Sequence, residues 1–360
     1  MSLSLAPEEE ADLLQLAARL VAIPSVSRAE EALAGFVEAR LRARGRGLSV
    51  DRIGNCVVAR TGRGLARRVI LSGHLDTVPG VQGARVEDDE LTGLGAVDMK
   101  AGLAVMLRLA EELEDSRYDC SFVFYDAEEL GSEQSGFTRL LRQRPELLAG
   151  DLAVVLEPTD NWLEAGCQGI VVFEAVFSGR RAHSARPWVG VNAVSRAVPA
   201  LSRLASYQAE TVEVDGLAYR ESLQVVAVHA GVALNVVPDE CVVQINRRYA
   251  PSRRLEDVTA EVQALVDGAD RFRVLRKSPA GRPWLEHPLV AAFRRDLGLG
   301  VRPKLGTTDV GRFSDLGLPA VNFGPGSPGM AHTSQEVVSH AALRQCHESL
   351  SRFLKGVAGS

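Results

Sequence analysis

The chain has 360 residues, 46% hydrophobic and 24% charged, which is the balance of an ordinary globular protein of roughly two domains. A net charge of −5 argues against a nucleic-acid partner, which calls for a basic surface. Cys56, Cys120, Cys167, Cys241 and Cys346 are scattered with no CxxC pair and read as reduced thiols. No apolar stretch approaches the ~20 residues of a membrane span, so a cytoplasmic protein without a membrane partner is expected.

Pro7 followed by Glu8, Glu9 and Glu10 predicts a helix start. Leu13, Leu14, Ala17, Leu20 and Val21 continue it, and Ile23-Pro24 ends it. A second helix is predicted over 30–44. Val57–Ala59 and Val69–Leu71 read as short strands. The second runs into Ser72-Gly73-His74-Leu75-Asp76, which places a His and an Asp two residues apart on one face of the chain. A hairpin is predicted over 86–94 with its turn at Asp88-Asp89, and then a helix over 100–114. Asp98 stands just before that helix, where an N-cap role competes with a functional one. Gly93-x-Gly95 lacks the third glycine of a dinucleotide loop, and the chain has no nucleophile elbow and no P-loop.

Phe122-Val-Phe-Tyr-Asp-Ala-Glu128-Glu129-Leu-Gly131 is a β-branched and aromatic strand that runs into paired carboxylates. The plain alternative is that both acids open a solvated loop. Asp151–Thr159 repeats the pattern, with an apolar strand that ends at Glu157. From about Gly169 the texture changes: a strand over 170–177, a basic loop holding His183 and Arg186, a helix over 191–207 strained by Pro199, strands over 223–230 and 240–246, and a helix over 255–266. This predicts an α+β layer, residues 169–278, inserted into an α/β domain formed by 1–168 and 279–360. The larger domain is expected to hold a mixed, mostly parallel sheet flanked by helices. Its last strand, Leu318–Gly326, leads to His332.

Ligands of open α/β sheets bind at the carboxyl ends of the strands, where these groups collect. His74, Asp98, Glu129, Glu157 and His332 form a nitrogen and oxygen set suited to zinc or a similar metal. One carboxylate can bridge two ions while the other four residues complete both shells, leaving room for a bridging water. Asp76 then orients the His74 ring, and Glu128 is left beside the metal as a general base.

Ser-Gly-His74-Leu-Asp76-Thr-Val-Pro, Asp98-Met-Lys, Asp-Ala-Glu128-Glu129, Glu157-Pro-Thr and the late His332 resemble, in order and over nearly the whole chain, the signature of the M20 family of di-zinc metallopeptidases and amidohydrolases. Within it the chain looks closest to the succinyl-diaminopimelate desuccinylases, through Glu164–Gly169, Arg181-Ala-His183-Ser-Ala-Arg186, Asn235-Val-Val-Pro, Thr308-Asp309-Val-Gly-Arg312-Phe and Val321–Gly326. The resemblance implies a zinc-peptidase-like catalytic domain with a ferredoxin-like insert that acts as lid and homodimer contact. It implies two Zn2+ (Co2+ as substitute), His74 and Glu157 on one, Glu129 and His332 on the other, and Asp98 between them, followed by a cis peptide. His183 would reach the partner subunit's site. The implied reaction removes succinate from N-succinyl-LL-2,6-diaminopimelate in lysine biosynthesis, with Asn235, Arg248, Thr307, Thr308 and Arg186 toward the substrate.

One departure stands out. Cys167-Gln168-Gly169 replaces an Arg-rich segment, which leaves Arg186, Arg247 or Arg248 to hold a substrate carboxylate. Acetylornithine deacetylase or an acyl-amino-acid carboxypeptidase would use the same metal residues, although Glu157 argues against the tripeptidase branch. A non-catalytic binding protein on this scaffold would have lost a ligand or the base, and none is missing.

Overall fold

The computed structural model describes residues 12–80 and 83–356, so the helix start expected at Pro7–Glu10 lies outside the described residues. Helix α1 (Leu13–Ala22) opens on Asp12, whose carboxylate accepts the Leu14 N–H at 2.7 Å, a side-chain cap on an otherwise unpaired donor. Helix α2 (Glu31–Arg44) follows. Strands β1 (Leu48–Ile53) and β2 (Cys56–Thr61) form an antiparallel hairpin, and β3 (Arg68–His74) comes next. The hairpin of β4 (Arg85–Glu87) and β5 (Glu90–Thr92) turns through Asp88 and Asp89, both at positive φ, a conformation Asp adopts more readily than most residues. Then come α3 (Ala101–Glu112), β6 (Asp119–Tyr125), α4 (Gly136–Gln143), β7 (Leu152–Val155) and β8 (Leu163–Ala165).

Strand β9 (Gly169–Ser178) is followed by α5 (Ala193–Ser206), which contains Pro199 within it. A small hairpin of β10 (Thr211–Val214) and β11 (Leu217–Arg220), not foreseen from the sequence, precedes β12 (Ser222–Ala230), β13 (Glu240–Tyr249), α6 (Leu255–Leu265) and β14 (Arg271–Ser278). The chain closes with α7 (Pro288–Leu297), β15 (Val301–Pro303), α8 (Val310–Asp315), β16 (Ala320–Asn322), β17 (Val337–Ser339) and α9 (His340–Lys355).

The chain divides into two compact units. The first comprises Met1–Gly166, Pro283–Arg302 and Thr308–Ser360; the second comprises Cys167–Arg282 and Pro303–Thr307. The first unit is built on an eight-stranded sheet in the order β1-β2-β6-β3-β7-β16-β8-β15. Its centre is parallel: β3 pairs in parallel with β6 and β7, and β7 with β16. All seven residues of β6 are buried, as expected for a strand covered on both faces by helices. Leu103, Val105, Met106 and Leu109 of α3 pack with Phe122 and Phe124 of β6 in one core, and each such side chain stabilises by about 1.5–3 kcal/mol when fully buried.

The second unit holds an antiparallel sheet in the order β12-β13-β9-β14. Together with α5 and α6 this is a β-α-β-β-α-β arrangement of the ferredoxin-like kind. Val171, Phe173, Ala175 and Phe177 alternate toward a separate core with Ala197, Leu204, Val258 and Val262 of the helices. Among the described residues no helix is long and apolar enough to cross a membrane.

Candidate metal centre

Strands β6, β3 and β7 are neighbours and parallel, so their carboxyl ends open side by side. His74 is the last residue of β3, Glu128 and Glu129 follow β6, and Glu157 follows β7. Asp98 arrives from the turn before α3. Its backbone is non-helical, the helix N-cap is Lys100, and the Asp98–Met99 peptide is cis. Asp98 therefore does not cap α3, and its carboxylate is free to face the strand ends. His332 comes from the connection between β16 and β17, in a left-handed conformation with φ 62°.

The two oxygens of Asp98 face different histidines. Oδ1 lies 3.0 Å from His74 Nε2, and Oδ2 lies 3.3 Å from His332 Nε2. Glu157 Oε1 stands 3.8 Å from His74 Nε2, whereas Glu129 Oε1 stands 2.9 Å from His332 Nε2. Ligand atoms of His74, Asp98 and Glu129 all fall within 4.8 Å of one another. Two donor groups thus share one carboxylate, the arrangement a bridging ligand needs.

Around these side chains, other carboxylates grip the backbone. The His74 Nδ1 lies 2.9 Å from the Asp76 carbonyl oxygen and 3.5 Å from its Oδ1. Asp76 Oδ1 accepts the Glu128 N–H at 2.9 Å and Oδ2 the Glu129 N–H at 3.1 Å, while Ser27 Oγ donates to Oδ2 at 2.7 Å. Glu336, a buried residue with no mark in the sequence pattern, accepts the N–H groups of Val97 and Asp98 through Oε2 at 3.0 and 3.3 Å. The peptides of Asp98, Glu128 and Glu129 are therefore held by carboxylates from elsewhere in the chain.

The electrostatics fit a cation. Hydrogen bonds to Asp98 and Glu129 push His332 up to about 10. Burial works against a charge on His74, but its hydrogen bonds to Asp76 and Asp98 win and raise it. Burial would raise Asp98, yet its bonds to both histidines pull it well below the usual carboxylate range. Without a metal, protonated imidazoles are what balance the acids, and divalent ions at the same place would displace those protons. Glu128 differs from its neighbours. Burial pushes it up to about 7, the Asp309 and Glu129 charges add to this, and His74 and Arg312 oppose it. That places a carboxylate in the range useful for moving protons near neutral pH.

In the same unit Thr308 is buried, and its hydroxyl donates to Asn322 Oδ1 at 2.7 Å. The remaining residues singled out in the sequence belong to the second unit. His183 is exposed and its Nδ1 accepts the Ala185 N–H at 3.0 Å. Arg186 is exposed, and the Asn235 carbonyl accepts the Ser184 N–H. Arg248 is half-buried and donates to Thr307 Oγ1 at 3.3 Å, while Thr307 donates to the Gln168 carbonyl at 2.8 Å. Arg247 is fully buried and paired with Glu221 at 2.6 Å and Glu261 at 3.2 Å. Of the three arginines proposed for a substrate carboxylate, that one is already committed to an internal ion pair.

Comparison with known proteins gives a consistent picture. The profile of Peptidase family M20/M25/M40 matches residues 70–356. A protein of Mycobacterium tuberculosis named as a candidate succinyl-diaminopimelate desuccinylase, DapE, is 44% identical over 348 residues, spanning 96% of this chain and 98% of its own. A succinyl-diaminopimelate desuccinylase of Corynebacterium glutamicum is 42% identical over 336 residues, spanning 90% of this chain and 91% of its own. Among solved structures, a Staphylococcus aureus tripeptidase superposes with a TM-score of 0.79 at 22% identity over 96% of this chain and 98% of its own. An M20 metallo-carboxypeptidase of Sulfolobus solfataricus gives 0.79 at 15% identity with the same coverage. At these identities the structural likeness speaks for the fold.

Proposed function

The chain belongs to the M20/M25/M40 peptidase family, and from that premise we propose that it is a two-zinc amide hydrolase that removes succinate from N-succinyl-LL-2,6-diaminopimelate. The observation that carries the metal chemistry is Asp98, whose two oxygens each meet a separate histidine that has a further glutamate beside it. The desuccinylase assignment is supported by 42% identity to a relative that bears that name and 44% to one named as a candidate for it, each over nearly its full length.

His74, Glu157 and Asp98 Oδ1 would hold one ion, and His332, Glu129 and Asp98 Oδ2 the other, with Zn2+ the natural occupant of such a set and Co2+ a substitute. When bound, these ions supply Lewis acidity, polarising the amide carbonyl and lowering the pKa of water. Asp76 keeps the His74 ring in orientation through Nδ1. Glu128 takes the proton of the attacking water as its oxygen bonds to the carbonyl carbon. It then delivers that proton to the amine nitrogen as the C–N bond breaks. Succinate and LL-2,6-diaminopimelate leave.

In this reading the second unit serves as lid and homodimer contact, and His183 donates to the oxyanion of the partner subunit's site. Arg248 and Thr307, with Asn235, Thr308 and Arg186, recognise the acylated diamino acid, and the enzyme works in the cytoplasm. The test is turnover of three substrates by zinc-loaded enzyme: N-succinyl-diaminopimelate, N-acetylornithine and an acyl-glutamate. The succinyl compound is expected to have the highest kcat/KM by at least about tenfold, which is ~1.4 kcal/mol of discrimination. Preference for acetylornithine or the acyl-glutamate would reassign the substrate and keep the metal chemistry.

A further inference from the structure

The base assigned to Glu128 depends on a sharp turn, and the structure shows what holds that turn. Ala127, between the end of β6 and Glu128, has a φ of 56°, a left-handed conformation that a side-chain-bearing residue keeps only when its surroundings enforce it. Three consecutive N–H groups project from this turn. Those of Glu128 and Glu129 go to Asp76, as described; that of Ala127 goes to Glu30 Oε1 at 3.1 Å. Successive amides in a turn of this kind form an anion-binding concavity, and here two carboxylates of the protein fill it.

Glu30 lies in the loop between α1 and α2 and is fully buried. Its Oε1 also accepts the Arg28 N–H at 2.9 Å, which ties the carboxylate to its own loop. Oε2 is closed off from water and has no hydrogen-bond partner among the described residues. The charges near it are acidic, Asp76 and Asp126. Burying an acid with one oxygen unpaired is costly and offsets what its bonds through Oε1 contribute to stability. What it does provide is an acceptor at the N–H that precedes the base.

We propose that Glu30 is a positioning residue that acts through Glu128, holding the Ala127 turn so that the base faces its water. The inference rests on Glu128 being the base. The experiment measures kcat, KM and zinc content with N-succinyl-diaminopimelate for Glu30→Ala, Glu30→Gln, Glu128→Gln and the double variant Glu30→Ala/Glu128→Gln. Glu30→Ala should lower kcat by about tenfold or more, within the range general-base contributions span, with KM within about twofold and both zinc ions kept. Glu30→Gln, which retains the acceptor oxygen, should restore kcat to within about threefold. In the double variant Glu30→Ala should add no further loss, because residues acting as one unit are not additive. If Glu30→Ala does not fold, Glu30→Asp, with its shorter reach, takes its place in the same comparison.

Multiplying effects in the double variant, or a Glu30→Gln as slow as Glu30→Ala, would overturn the inference alone. Full activity of Glu128→Gln would overturn the base assignment and this inference with it.

Discussion

At the residue scale, the two adjacent glutamates after β6 are separated by what each one meets. Glu129 lies against His332, whereas Glu128 meets no histidine at bonding distance among the contacts of the described residues, and burial raises its pKa to about 7. On this account Glu128→Gln keeps two zinc ions per chain and loses between 10² and 10⁴ in kcat, the usual range for a general base. Glu129→Gln should instead release part of the bound metal. Metal analysis beside steady-state kinetics checks both, and a Glu128→Gln protein that loses zinc while Glu129→Gln keeps it would reverse the two roles. The residues that meet around Asp98 were legible in the sequence because each stands at the end of an apolar run or a glycine-rich turn. Glu30 and Glu336 were not. Each acts on backbone N–H groups far along the chain, 97 residues away at Ala127 and 239 at Val97, and no local pattern marks such a partner. Arg247 shows the opposite failure: a plausible anion binder in the sequence, it is enclosed by Glu221 and Glu261.

At the scale of elements, the site depends on how closely α3 lies against β7. Gly102, in the first turn of α3, allows this contact. A Cβ there would stand 2.4 Å from the Leu156 carbonyl oxygen and 3.0 Å from the Leu156 Cβ, and backbone cannot yield as a flexible side chain would. Leu156 directly precedes Glu157, and Asp98 stands just before α3. Gly102→Ala should therefore push the helix away from the strand and separate two carboxylates assigned to the same ion. We expect a loss of about 1–3 kcal/mol in stability, typical of overpacking, together with weakened zinc binding; denaturant unfolding and metal analysis report the two effects. Wild-type stability and zinc content in Gly102→Ala would show that the contact is not tight. The parallel core strands were readable as buried β-branched runs. The β10–β11 hairpin was missed, since Asp215-Gly216 is its only strong local signal and the flanking strands are four residues each.

At the scale of the whole molecule, His183 carries the claim that one subunit completes another. Its imidazole is exposed in the second unit, so a solvated loop is the plain alternative. As a donor to the oxyanion it would contribute about 2.7–4 kcal/mol, a 10²- to 10³-fold effect on kcat. His183→Ala should lose that much with metal content unchanged. Mixing it with Glu128→Ala should restore activity as subunits exchange, because a mixed dimer joins an intact base in one subunit to an intact His183 in the other. No recovery after exchange has been demonstrated would rule out action across the dimer.

The central claim is that two metal ions, gathered around Asp98, are required for hydrolysis of the succinyl amide. The direct measurement is the rate of N-succinyl-diaminopimelate hydrolysis by chelator-stripped protein as zinc is added back. The account predicts no turnover in the stripped protein and a return of activity that levels off near two zinc ions per chain. Full activity in protein shown to be metal-free would contradict it.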